Sequence, residues 1–289
     1  MQSKETKVKE QPKKLRWGVE RRMEFIEFRL YWEGRINRKD LIDKFGVSIP
    51  QASADLTRYL EIAPGNMVYD TRLKFYFAPK NFKPRFLQPE ADRYFANLRS
   101  IAAGIMNSTE SWLENIPSYH VLQHPNRHID PERLRKVMES IRSNLTIQIK
   151  YQSISTPEPE WRWVTPHALG FDGYRWHIRA FCHQDNGFRD FVLARILSIR
   201  NSRDDKVDAS QDKEWHEMVD VRIGPHPKLT ESQKKVVELD YGLEKGQRVI
   251  SIRHAFLPYF VKQFGLDQPN ERSPEIQQIV LLNREILKS

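Results

Sequence analysis

Apolar side chains return at intervals of four, three and four residues through Val19, Met23, Ile26 and Leu30, the spacing of one helix face. Gly34 stops that helix. The stretch NRKDLIDKFGVSIPQASADLTRYL predicts two further helices in tandem. Leu41, Ile42 and Phe45 mark the first, which Gly46 closes. Ser48 is placed to cap the second, Pro50 fits its first turn, and Ile49, Ser53, Leu56 and Leu60 are expected on its inner face. Two helices joined by a short glycine-bearing turn form the helix-turn-helix pattern. NMVYDTRLKFYFA then alternates around a polar Asp-Thr-Arg centre and reads as a β-hairpin. Three helices followed by a hairpin make a winged helix-turn-helix.

Residues 88–116 read as helical and as a connector, and Pro117, Pro125 and Pro131 break the chain after it. Asp130 caps the next helix, with Leu134, Val137, Met138 and Ile141 on one face. From residue 145 the period becomes that of strands. LTIQIKYQS, WRWVTPHALGF, YRWHIRAF and FRDFVLARILSI follow one another, with Asp172-Gly173 and Asn186-Gly187 as hairpin turns. They predict an antiparallel meander of about five strands, small enough to close into a partly open barrel. Residues 203–214 are polar and read as a linker. Residues 218–285 read β-α-β-α-β, a small α+β unit, whose Phe256, Tyr259 and Phe260 fit either a dimer contact or its own core.

Charge sharpens this division. The chain carries a net +9, yet residues 1–85 hold 19 Lys/Arg against 11 Asp/Glu while the remainder is nearly balanced. Basicity confined to one end is the footprint of a polyanionic partner. Lys7, Lys9, Lys13 and Lys14 supply half of that surplus, so a solvated tail fits as well. No apolar run is long enough for a membrane helix, the first residues lack the apolar segment of a secretion signal, and Cys182 stands alone. A cytoplasmic protein without disulfides is expected.

With the inner face assigned as above, Gln51, Ala54, Asp55 and Arg58 point outward from the third helix, where a recognition helix meets base edges. Glutamine pairs with adenine, arginine with guanine, and an alanine methyl meets the thymine methyl. Ser48 is placed to donate to a phosphate, and Arg72 and Lys74 lie on the hairpin as a wing. A three-helix bundle used for protein contacts fits the same pattern. On the strands, His177 and Arg179 share one face of YRWHIRAF, Arg189 and Arg195 lie on the next strand, and Tyr151 and Ser153 end the first. Together they suggest an anion or nucleotide pocket, or else a solvated strand face. His120, His124 and His128 recur at intervals of four, but Pro125 interrupts any helix there and no cysteine completes a zinc set. HExxH, GxSxG and GxGxxG are absent, and GLEKGQRV lacks the ending of a phosphate-binding loop. Neither catalysis, metal nor cofactor is expected.

PHALGFDGYRWHIRAF resembles the core of the WYL domain, with Trp176, His177 and Ile178 at the positions that name the family and histidine in place of its tyrosine. FVLARI resembles the following strand, which supplies Arg195. VSIPQASADLTRYL and the histidine are similar to a narrower group, the repressors encoded beside bacterial phage-defence systems such as BREX and CBASS. The resemblance runs from about residue 16 to 285. It implies an α+β multidomain chain with an Sm-like small barrel at its centre, a homodimer, and a pocket sensing a nucleotide or nucleic-acid ligand. Tyr151, Ser153, His177, Arg179 and Arg195 are the pocket residues it implies, with His167 and Arg189 behind them. The expected divisions are a basic disordered tail (1–14), a winged helix-turn-helix (15–85), a helical connector (86–130), a WYL domain (131–202), a linker (203–217) and a C-terminal α+β extension (218–289). The expected partner is double-stranded DNA with an inverted repeat. An accessory protein that binds RNA or a defence enzyme is the competing reading.

Overall fold

The computed structural model describes residues 16–122, 125, 128–267 and 272–288; the basic tail and His124 lie outside them. The chain divides into two compact units, 1–123 and 124–289.

The first unit opens with α1 (Trp17–Glu33), β1 (Arg35–Ile36) and α2 (Arg38–Phe45). Asn37 caps α2 in a reciprocal box with Asp40. Gly46, with φ 62°, takes the left-handed position that ends α2. α3 (Ile49–Ile62) starts at Ser48, whose side chain accepts from the Gln51 amide. β2 (Val68–Asp70) and β3 (Phe75–Phe77) form the wing, and β3 sits between β1 and β2 in an antiparallel sheet. Met23, Phe25, Ile26, Leu30, Leu41, Leu56 and Tyr59 fill the core, as the helical spacing of α1 implies.

The helix expected over 88–116 is shorter. α4 spans Ala91–Ala102, and Gly104, with φ 66°, closes it. Residues 108–116 fold back on α1 and α2. Trp112 meets Phe25 and Phe28 edge-on with centroids 5.5 Å apart, and Lys44 Nζ donates to the carbonyls of Thr109, Glu110 and Ser111. The segment read as a connector is part of the first unit.

Glu27 locks this unit together. It is fully buried. Its carboxylate accepts from the amides of Arg85, Phe86 and Leu87 at 2.6–2.8 Å and from the Tyr59 hydroxyl at 2.9 Å. Burial and the neighbouring carboxylate push the Tyr59 phenol well above its ordinary pKa, so it stays a donor.

In the second unit, α5 (Pro131–Ser143) begins at the Asp130 cap. β4 (Thr146–Tyr151), β5 (Glu160–Phe171), β6 (Trp176–Cys182), β7 (Gly187–Val192) and β8 (Ile196–Arg203) form one antiparallel sheet in the order β7-β6-β5-β4-β8. The last strand pairs with the first, the arrangement of a small barrel left open between β7 and β8. Ile147, Ile149, Tyr151, Val164, Ile178, Ala180 and Ile196 point inward and pack with Val137 of α5. The stretch read as a linker is structured: a 3-10 turn and α6 (Lys213–His216) follow β8. β9 (Met218–Pro225), α7 (Glu231–Tyr241), β10 (Arg248–Arg253), α8 (Leu257–Gln263) and β11 (Ile279–Leu281) realise the β-α-β-α-β reading, with β9 central in its sheet. No helix among the described residues is long and apolar enough to cross a membrane.

Replacing Glu27 by glutamine sets an N–H donor against backbone donors and is expected to destabilise the first unit by about 3 kcal/mol. Hydrogen exchange at the amides of residues 85–87 checks this. Exchange as slow in Glu27→Gln as in the parent would show that the carboxylate does not hold the fold.

Candidate nucleic-acid interface and effector site

α3 is turned differently from the expected phase. Its buried face is Ala52, Asp55, Leu56 and Tyr59, whereas Ile49 is 61% exposed and Ser53 half-buried. Gln51, Ala54 and Arg58 remain on the exposed face, joined by Thr57. Asp55 is the correction: it is 1% exposed and cannot meet a base edge. Arg22 of α1 reaches it with Nε–Oδ2 at 2.6 Å and Nη2–Oδ1 at 3.3 Å. A carboxylate this deep is tolerated because it is paired and hydrogen-bonded.

Ser48 is exposed and uses its oxygen as the α3 cap, while its hydroxyl proton is free to donate. The Arg58 guanidinium makes no hydrogen bond or ion pair among the described residues. Arg72 and Lys74 are exposed at the wing tip, where Asp70 Oδ1 accepts from the amides of Arg72 and Leu73 at 2.8 Å and Lys74 adopts φ 58°. A helix face with an uncompensated cation, an amide and a methyl, flanked by a cationic wing, suits a duplex groove and its phosphates.

The expected pocket residues divide into three groups. Tyr151 belongs to the barrel core: it packs edge-on against Phe191, and its hydroxyl accepts from the Val192 amide. His167, His177 and Arg179 lie in a polar layer covered by the chain after β8 and by α8. Arg179, 4% exposed, donates to Asp212 at 2.7 and 2.8 Å and to Glu214 at 2.7 Å, and faces Asp190 at 3.4 Å. His167 Nε2 donates to the same Asp212 at 2.9 Å. His177 Nε2 donates to Asp172 at 2.9 Å, and its ring lies against Tyr259 with centroids 4.9 Å apart. Tyr259 in turn donates to Asp190. Gly170 is required beside this layer, because a Cβ there would come within 2.1 Å of the Phe256 ring. Arg179 and the two imidazoles are spent on the protein's own carboxylates, so they do not form an open anion pocket. Phe256 and Tyr259 are likewise engaged inside the unit, and Phe260 packs on the C-terminal core.

Ser153, Arg189 and Arg195 form the third group. Ser153 hydrogen-bonds Ser155 at 2.7 Å. The exposed Arg189 donates to the Phe188 carbonyl and lies 3.9 Å from Asp185. The Arg195 guanidinium has no partner among the described residues. Its backbone carbonyl accepts from the Gln152 amide, which brings the Arg195 backbone to the residue preceding Ser153, just past β4. Asp172, Asp190, Asp212 and Glu214 are the residues that sequence reasoning passed over. Asp212 and Glu214 sat in the presumed linker, and only the fold brings them to Arg179.

Electrostatics follow the pairing. Burial disfavours ionised Asp212, but the bonds from Arg179 and His167 outweigh it and hold its pKa below the ordinary value. Burial pushes the His167 pKa down. Burial opposes ionisation of Asp172 too, and bonds from His177, the Tyr174 amide and Arg175 more than offset it. No group of three His, Cys, Asp or Glu side chains among the described residues could hold a metal ion.

Three family models match the chain: the winged helix-turn-helix domain of the BrxR transcriptional regulator over residues 18–100, the WYL domain over 132–201, and the C-terminal dimerization domain of the BrxR regulator over 218–287. The fold is therefore an N-terminal winged helix domain, a central WYL domain and a C-terminal dimerization domain. The chain is 42% identical to the DNA-binding transcriptional repressor CapW of Stenotrophomonas maltophilia over 95% of its length and 93% of that protein's. It is 40% identical to CapW of Pseudomonas aeruginosa over 94% and 92%. CapW of Escherichia coli (strain KTE188) is 36% identical over 93% and 91%. Of solved structures, proteasome accessory factor B/C of Arthrobacter aurescens aligns with 93% of this chain at 17% identity and a TM-score of 0.26. This chain spans 46% of its length.

Because the folded pKa of Asp172 is depressed, its contribution is complete above the unfolded aspartate value of about 3.9 and is lost as pH falls through the folded value. Asp172→Asn is expected to lower the stability of the second unit by about 2 kcal/mol at pH 7 and to flatten the acid limb of its Tm–pH curve. An acid limb of unchanged slope would remove Asp172 from the account.

Proposed function

The chain belongs to the CapW family of DNA-binding transcriptional repressors, and we propose on that premise that it is a homodimeric, sequence-specific repressor of a phage-defence operon whose WYL domain senses a nucleotide or nucleic-acid-like ligand. The observation that carries DNA binding is the exposed face of α3, where Gln51, Ala54 and Arg58 stand clear of the core beside the cap Ser48. Arg72 and Lys74 extend the same chemistry onto the wing. The matched C-terminal dimerization domain supports the dimer. Val236 and Leu239, 57% and 83% exposed on one face of α7, supply apolar surface for it. Two copies related by a two-fold axis present two recognition helices to an inverted repeat.

For the effector, the free Arg195 beside Ser153 is the anchor the geometry supports, because Arg179 and His177 are already paired within the protein. Phosphate suits an uncommitted guanidinium. The effector acts by binding one conformation of the dimer more tightly than another.

Gel shifts with the DNA upstream of the chain's own operon test both parts. Gln51→Ala/Arg58→Ala is expected to weaken binding about 100-fold or more, from two base contacts of about 1–3 kcal/mol each, with the dimer mass unchanged. Unchanged affinity would contradict the recognition face, and binding confined to RNA or to a partner enzyme would favour an accessory role. Arg195→Ala is expected to blunt derepression during phage challenge. Derepression equal to the parent's would contradict the effector site.

A further inference from the structure

We propose that Arg22 and Asp55, neither of which touches DNA, set which base Gln51 reads, and that this base is adenine; the inference rests on the recognition role of α3 proposed above. Gln51 and Asp55 are one helical turn apart on α3, and Gln51 Nε2 donates to Asp55 Oδ1 at 3.1 Å. An ionised carboxylate only accepts, so the amide nitrogen, not its oxygen, must face Asp55. One of the two Nε2 protons is thereby committed. The second proton and Oε1 remain unbonded among the described residues, on a side chain that is exposed at the start of α3.

Asp55 is itself buried and paired. Its two oxygens take Nε and Nη2 of Arg22, whose Nη1 donates to the Gly18 carbonyl on α1 at 2.9 Å. With side-chain exposures of 13% for Arg22 and 1% for Asp55, the pair is fixed by packing as well as by charge. Arg22 also neutralises a carboxylate that would otherwise sit behind a helix facing phosphates. The clasp orients the reading amide from the core of the domain.

A free glutamine turns its amide to suit either donor or acceptor. Held by Asp55, Gln51 offers one acceptor and one donor in a set order. Adenine presents an N6 amino donor and an N7 acceptor in the major groove and matches that pair. Guanine presents two acceptors, O6 and N7, and one of them would meet Oε1. Turning the amide over to suit guanine breaks the bond to Asp55 and sets Oε1 against the carboxylate.

The test scores binding to the upstream DNA with each base pair of the site replaced in turn. Gln51→Ala is expected to erase the preference at one position per half-site. That position is expected to be adenine, with guanine there costing the parent about tenfold or more in affinity. Replacing that adenine by 7-deazaadenine, which removes N7 and leaves the protein unaltered, is expected to weaken the parent several-fold and Gln51→Ala not at all. Arg22→Met/Asp55→Ala removes both charges together and so strands neither. It is expected to reduce the adenine–guanine ratio at that position to within about twofold while preferences elsewhere stay as they were. A guanine at the Gln51-dependent position, indifference to 7-deazaadenine, an unchanged ratio in the double variant, or a uniform loss across all positions would each overturn the proposal. Failure of the parent to prefer any DNA sequence would instead overturn the recognition role beneath it.

Discussion

A charge taken out of water must find a counter-charge or a set of hydrogen-bond donors, and both units of this chain are arranged around that constraint. In the first unit, Glu27 gathers three successive backbone amides and a phenol, and Asp55 is clasped by Arg22. In the second, Arg179 collects Asp212, Glu214 and Asp190, while His177 and His167 are spoken for by Asp172 and Asp212. Breaking such a pair from one side costs about 3–5 kcal/mol. These centres therefore decide which side chains are structural and which are left for a ligand.

The functional surface proposed for this chain is what these pairings leave uncommitted. Arg58, Arg72 and Lys74 carry no ion pair among the described residues, and neither does Arg195. The first three lie on the winged domain. Arg195 lies on the barrel, beside a serine. The eponymous strand of the WYL domain, by contrast, turns His177 and Arg179 toward the protein's own acids. In this chain that strand works as a joint between the barrel and the segments that follow it.

Much of this was legible in the sequence. The four-three-four spacing of α1, the Ser48 cap with Pro50 behind it, and the Asp172-Gly173 and Asn186-Gly187 turns follow from local chemistry, and local chemistry is what a sequence displays. The phase of α3 was not legible. Ile49 looks like core and Asp55 looks like surface until α1 brings Arg22 across 33 residues of chain. The pairing of Arg179 was hidden for the same reason: it reads as a free cation until residues 212–214 fold against it. Charge pairing over long sequence separation leaves no periodic trace. The short α4 is a smaller case, since Gly104 ends a pattern that apolar residues continue.

In the proposed complex, two copies of this chain read an inverted repeat through α3. Hydroxyl-radical footprinting of the upstream DNA tests it most directly, because it reports position and symmetry together. Two protected patches with their centres one helical turn apart (about 10–10.5 base pairs) or a multiple of that, related by a dyad, are the predicted result. A single patch, or protection spread evenly along the fragment, would contradict it.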